Sequence, residues 1–228
     1  MERGKPMKSS LVLLAVTVPL VATTAGADWI DIFNANRAID LTVMDKAYGT
    51  SSTETGFWLS DLEVTESDSV QAAAQSSTID SNFIGFGSLV SSYIPWTGDG
   101  AVNNASSSLS ANVELFESGT AAIDWEFDLE STAFGSALAE ITISNVRGDH
   151  VFVMSEVDDT VGSEVVELNP GLYLVQMLIR SEVTDDEGRG VTGTASVTGI
   201  GTITFVPAPG ALALLGMGLM GRTRRRRR

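Results

Sequence analysis

Across residues 122–130 apolar and acidic side chains alternate without a break. Ile123, Trp125, Phe127 and Leu129 fall on one side, and Asp124, Glu126, Asp128 and Glu130 on the other. A period of two is that of a β-strand with one face on a core and one in water. A helix would spread the same acids around its circumference. Similar runs cover 57–64, 108–116, 140–146, 150–157, 172–179 and 191–205. Turn-forming residues separate them: Gly98-Asp99-Gly100, Gly148-Asp149, Asn169-Pro170-Gly171 and Asp185-Asp186-Glu187-Gly188. Strands at this spacing predict an all-β chain folded as a single β-sandwich or jelly-roll-like domain. The acids at 124, 126, 128 and 130 read as solubility and edge protection.

Three stretches fit that pattern less well. Residues 28–46 suit a short helix or an edge strand. Residues 67–81 contain Val70-Gln71-Ala72-Ala73-Ala74-Gln75, which suits a helix on propensity or a polar strand. The Ser-, Ala- and Asn-rich run 103–110 reads as an exposed loop or edge. At Asn169-Pro170-Gly171-Leu172-Tyr173, Pro170 presets φ and Gly171 can take a positive φ, so the chain reverses before Tyr173 packs. The segment is similar to the Pro-Gly-x-Tyr corners of secreted β-sandwich modules. It points to architecture, not to activity.

Both ends carry helical address signals that flank the strands. Arg3, Lys5 and Lys8 form a basic start, 11–21 is apolar, and Ala25-Gly26-Ala27 is an A-x-A site that would leave Asp28 as the first mature residue. There is no twin arginine, so the general secretion route is favoured. At the other end, Pro207-Ala208-Pro209 precedes the apolar, Gly-studded stretch 210–221, followed by Arg222, Thr223 and Arg224, Arg225, Arg226, Arg227 and Arg228. The apolar part is 12 residues, or 17 counted from Phe205, against about 20 for a spanning helix. A short membrane helix of this kind suits a transient stop, with the arginines held on the cytoplasmic side. An ordinary tail anchor is the alternative. The expected division is a signal peptide over 1–27, an exported β-domain over 28–204 and a sorting segment over 205–228.

The order of Pro motif, apolar segment and arginine cluster resembles the PEP-CTERM sorting signal. Pro207 and Pro209 match the two prolines of that motif, and Ala208 stands where the family has its central Glu. The resemblance covers about a tenth of the chain. It implies an exosortase-type processing enzyme as partner, a bacterium of Gram-negative type, and delivery to the envelope or exterior alongside exopolysaccharide. In that scheme Arg222 and the five terminal arginines stop transfer, and the Pro motif is presented at the membrane face.

Charge narrows the partners. Between 28 and 206 there are 28 acids and only five bases: Arg37, Lys46, Arg147, Arg180 and Arg189. A net charge near −23 repels nucleic acid and makes divalent cations plausible surface partners. With no cysteine, the domain uses neither disulfides nor thiol chemistry, and one histidine, His150, excludes multi-histidine zinc sites.

Candidate chemistry is sparse. The acidic turns offer Asp158, Asp159, Asp185 and Asp186 as calcium ligands, but neither turn matches an EF-hand loop, and solvated turns explain them more simply. Trp96, between Pro95 and a glycine turn, is the candidate for stacking on a sugar face; Trp58 and Trp125 sit in alternating strands and read as core. No Gly-x-Ser-x-Gly, phosphate loop or dinucleotide fingerprint occurs, and carboxylate pairs are too common here to identify a glycosidase. The expectation is a non-enzymatic surface or matrix protein without a cofactor. A carbohydrate-binding module is the first rival and a secreted glycoside hydrolase the second.

Overall fold

A computed structural model of the chain describes residues 29–44, 46–66, 69–94, 102–132, 134–184 and 192–208. Among these residues every regular element is a strand. In order they are β1 (Ile30–Val43), β2 (Lys46–Ser52), β3 (Gly56–Glu66), β4 (Ser69–Asp80), β5 (Phe83–Ile94) and β6 (Val102–Leu115). There follow β7 (Gly119–Ser131), β8 (Gly135–Asn145), β9 (His150–Glu156), β10 (Thr160–Leu168), β11 (Gly171–Thr184) and β12 (Gly193–Pro207). They form two antiparallel sheets, β2-β1-β6-β11-β8-β9 and β10-β7-β12-β5-β4-β3, packed as the expected sandwich. The signal helix and the apolar C-terminal helix fall outside the described residues.

The alternation read in 122–130 is the burial pattern of β7. Ile123, Phe127 and Leu129 are buried, Trp125 is half-buried, and the four acids face water. Their role as edge protection is corrected for Asp124 and Glu126, because β7 lies between β10 and β12; β10 covers it only as far as Phe127.

β1 is an inner strand, neither helix nor edge. A bulge between Phe33 and Asn36 explains why its pattern was hard to read. Before the bulge Ile30 and Ile32 pack on the core; after it Ala35, Arg37, Ile39, Leu41 and Val43 face inward. The extra residue flips the parity of the strand. Asn34 takes a φ of 50 there, a left-handed conformation that asparagine tolerates.

Two polar runs are inner strands. β4 covers the run that suited either helix or strand. Its inward positions carry Ser69, Gln71, Gln75 and Ser77, all buried. Residues 103–110 are corrected from exposed loop to the heart of β6, paired on both sides by β1 and β11. Asn103 and Ser107 face the interior. Gln75 explains how the polar groups are tolerated: its amide reaches across the sandwich, within 2.9 Å of Ser107 Oγ and 3.1 Å of Ser77 Oγ.

Where the strands carry glycine, aromatic rings fill the space. A Cβ at Gly162 would collide with the indole of Trp125, one at Gly199 with the ring of Phe127, and one at Gly119 with Trp29. The Asn169–Tyr173 corner forms as expected. Gly171 has a φ of 154, and Tyr173 Oη donates back to Asn169 O at 2.8 Å.

Candidate functional site

The two ends of the sandwich differ in what they carry. One end holds the first and last described residues, Trp29 and Ala208. Pro207 is the last residue of β12 and pairs with Gly119. Pairing with β5 stops at Thr204, so the missing N–H of Pro207 breaks no ladder on that side. Ala208 N then donates to Ser118 O at 3.0 Å, and Phe116 N donates to Trp29 O at 2.9 Å. The first and last described residues are thus fastened to the same short β6–β7 connection. Phe205 is fully buried, so the sandwich continues up to the Pro motif itself. Ala25, Ala27, Asp28, Pro209, Arg222 and Arg224 to Arg228 lie outside the described residues.

The opposite end carries the segments that hold the ligand candidates. β5 ends at Ile94 and β12 begins at Gly193, and these two residues are paired. β6 begins at Val102 and β11 ends at Thr184, and these are paired too. The strand ends that flank the connection 95–101 are therefore paired with those that flank the connection 185–191. Trp96, Asp185 and Asp186 belong to these connections and lie outside the described residues. At these strand ends Ile94, Val183 and Ala195 form a small apolar cluster, and buried polar groups lie around it. Ser92 Oγ lies 2.8 Å from Ser181 Oγ, joining the two sheets. Asn103 accepts from Met44 N at 3.1 Å and donates to Tyr93 O at 3.3 Å. Both amide atoms of Gln71 and the Ser69 hydroxyl are buried without a hydrogen-bond partner among the described residues.

Asp158 and Asp159 form the turn between β9 and β10. Residues 160–164, which follow the turn, belong to β10. Asp159 Oδ1 accepts from Leu129 N at 2.7 Å, which ties the turn to β7. Among the described residues no three carboxylates or imidazoles gather as metal ligands.

The sequence reading missed one contact that bears on chemistry. His150 Nδ1 lies 2.8 Å from Ser144 Oγ, across the β8–β9 hairpin. A serine and a histidine six residues apart around Gly148-Asp149 were the available signal. Ser144 is buried on the outer side of β8 under the imidazole. Asn145 locks the turn by accepting from Arg147 N and Asp149 N. Among the described residues no carboxylate bonds to the imidazole. A hydrolytic site also needs that orienting acid and a pair of oxyanion donors. Trp125 and Phe152 pack nearby with centroids 5.9 Å apart, and the indole N–H donates to Thr160 Oγ1 at 3.2 Å. Trp125 and Trp58 are half-buried against the core.

At the lateral edge, Glu66 of β3 joins the two sheets. It accepts from Lys46 Nζ at 2.8 Å and from Tyr48 Oη at 2.7 Å, both on β2. The bond from Lys46, then that from Tyr48, lowers the Glu66 pKa, and bonding to Glu66 raises those of Lys46 and Tyr48. A lowered carboxylate pKa gives stability that is present above about 4.3, the unfolded value, and is lost as pH falls through the folded value. The raised Lys46 and Tyr48 values act oppositely: their contribution is present below the unfolded values and is lost as pH rises through the folded ones. Glu66→Gln is therefore expected to melt below the wild type at neutral pH and to converge with it in acid. Melting curves recorded across the acid range test this; a gap that stays constant with pH would sink it.

No family model matches the chain, and no curated protein matches it. Several solved structures align with parts of the chain. The isomalto-dextranase of Arthrobacter globiformis T6, complexed with panose, aligns at a TM-score of 0.25 and 11% identity, over 76% of this chain and 32% of that one. The infectious bursal disease virus Gx strain structure aligns at a TM-score of 0.27 and 9% identity, over 79% of this chain and 56% of that one. Tailspike protein 4 of bacteriophage CBA120 aligns at 0.21 and 12%, over 66% and 19%. The chain thus spans about a third and just over half the length of the first two.

Proposed function

We propose that the chain is an exported bacterial surface or matrix protein of structural type, sorted by its PEP-CTERM-like tail and acting beside exopolysaccharide. The observation that carries this is the anchoring of Pro207 and Ala208 at the end of the sandwich where the chain also enters. The last strand enters the motif only as far as Pro207, so removal of the tail beyond Pro207 by an exosortase-type enzyme would leave every described strand intact. The same arrangement turns the opposite end, where Ile94 pairs with Gly193 and Val102 with Thr184, away from the point of attachment.

Intact mass of the protein from native envelope and medium fractions tests the proposal. The expected species begins at Asp28 and ends near Pro207. Replacing Arg224 to Arg228 by neutral residues is expected to abolish that species. A mature form that begins at Asp28 and retains Arg228 would instead make the tail a permanent anchor.

A second reading, carbohydrate binding, is favoured by the pairing of Ile94 with Gly193 and of Val102 with Thr184, which roots the Trp96 and Asp185–Asp186 segments next to each other. Polysaccharide pull-down is then expected to fail for Trp96→Ala. Retention at wild-type level would remove Trp96 as the site.

A further inference from the structure

The two sheets end differently at their sides. The edges of the β2–β9 sheet are short and guarded. β2 and β9 have seven residues each; β2 begins with Lys46, and the β8–β9 pairing is broken by a bulge at Ser144. Such features blunt edge-to-edge pairing. The other sheet ends in β10, with nine residues, and β3, with 11. Both keep an unbroken register with their single neighbours. Neither contains Lys, Arg or Pro. Each turns large apolar side chains outward: Val161 is 78% and Val165 63% exposed on β10, Phe57 68% and Leu59 53% on β3.

We propose that this sheet continues between molecules, β10 of one copy pairing with β3 of the next. The topology sets the direction. All six strands are antiparallel to their neighbours, so the two edge strands run in opposite directions. A second copy placed alongside in the same orientation presents β3 antiparallel to β10 and prolongs the ladder. Its outward Phe57 and Leu59 then share a face with Val161 and Val165. Strand twist rotates each copy against the last, so the operator is a screw and the array is open rather than closed.

Area and charge set the strength. A nine-residue ladder is about 30 Å long at ~3.4 Å per residue, and about 10 Å across it buries on the order of 300–500 Å² per copy. Specific stable complexes bury about 800 Å² per partner. The contact is therefore weak in dilute solution and is favoured where copies are crowded on one surface. Each copy carries a large excess of acids, so salt that screens their repulsion strengthens the contact. The proposal deepens the structural reading above but rests on the fold, so it can be tested independently of tail processing.

Sedimentation of the purified full-length chain in mild detergent is the experiment. Average mass is expected to rise with protein concentration without reaching a plateau, and more steeply in high salt. Val165→Glu blocks β10 and Leu59→Glu blocks β3; both positions are exposed, so unchanged melting temperatures verify the fold. Each variant alone is expected to stay monomeric, and an equimolar mixture to form a dimer and nothing larger, because each supplies the edge the other lacks. Four results would overturn the proposal: a monomeric wild type at every concentration and salt, a wild-type plateau at a dimer, a mixture that stays monomeric, or a double variant that assembles like the wild type.

Discussion

Phe127→Ala is expected to lower the unfolding free energy by about 3–5 kcal/mol, the range for truncating a buried aromatic ring. Phe127 is fully buried on β7, and its ring lies over Gly199 and Gly201 of β12. Ile141 and Met177 of the facing sheet approach Gly201. The ring thus fills a slot whose floor has no side chains. When it is removed, nothing on that floor can extend into the space, so the cost falls toward the upper end of the range. Domains of this size have about 5–15 kcal/mol in total, so the loss is a large fraction of the whole. Urea denaturation should give a lower midpoint with an unchanged slope. A loss below about 1 kcal/mol would mean the slot collapses easily.

Arg37→Met is expected to act in the opposite direction. Arg37 is 1% exposed inside the sandwich, where Nη2 donates to Gly56 O at 2.6 Å and Nε has no partner among the described residues. Burial pushes its pKa below the ordinary value, and the attraction of Glu54 only partly offsets this. The guanidinium stays charged at any working pH, so its desolvation is not relieved. Methionine has a similar reach, no polar atoms and a flexible chain that fills irregular space. Replacing buried charge by apolar volume of this kind is often neutral or stabilising by about 1–4 kcal/mol. Thermal and urea unfolding measure it, with Arg37→Ala as the cavity control. A destabilisation by methionine as large as by alanine would show that the bond to Gly56 outweighs the burial of charge.

How legible each strand was in the sequence follows from what its inward face carries. β7 was plain because its inward residues are large and apolar and its outward residues are charged. β4 and the first half of β6 were obscure because serine, glutamine and asparagine occupy inward positions and small residues the outward ones, leaving little contrast between faces. β1 was obscured by one inserted residue, since a bulge resets the alternation midway. β10 hid behind Glu164 and Glu167, which a strand with only one neighbour can carry in water. Sites were less legible than strands. The Ser144–His150 contact depends on hairpin register, and the adjacency of 95–101 and 185–191 on pairings between strands about a hundred residues apart.

The placement of β12 has a mechanical consequence. It is the strand that leads to Ala208, and it is one of the two central strands of its sheet, paired with β5 from Gly193 to Thr204 and with β7 from Ala195 to Pro207. A pull on Ala208 along the strand would load both ladders in shear, so that many hydrogen bonds must yield together. A pull across the strand would open them one at a time. A domain held by this terminus and dragged from its far end would experience the first geometry, the one in which a β-sheet resists force best.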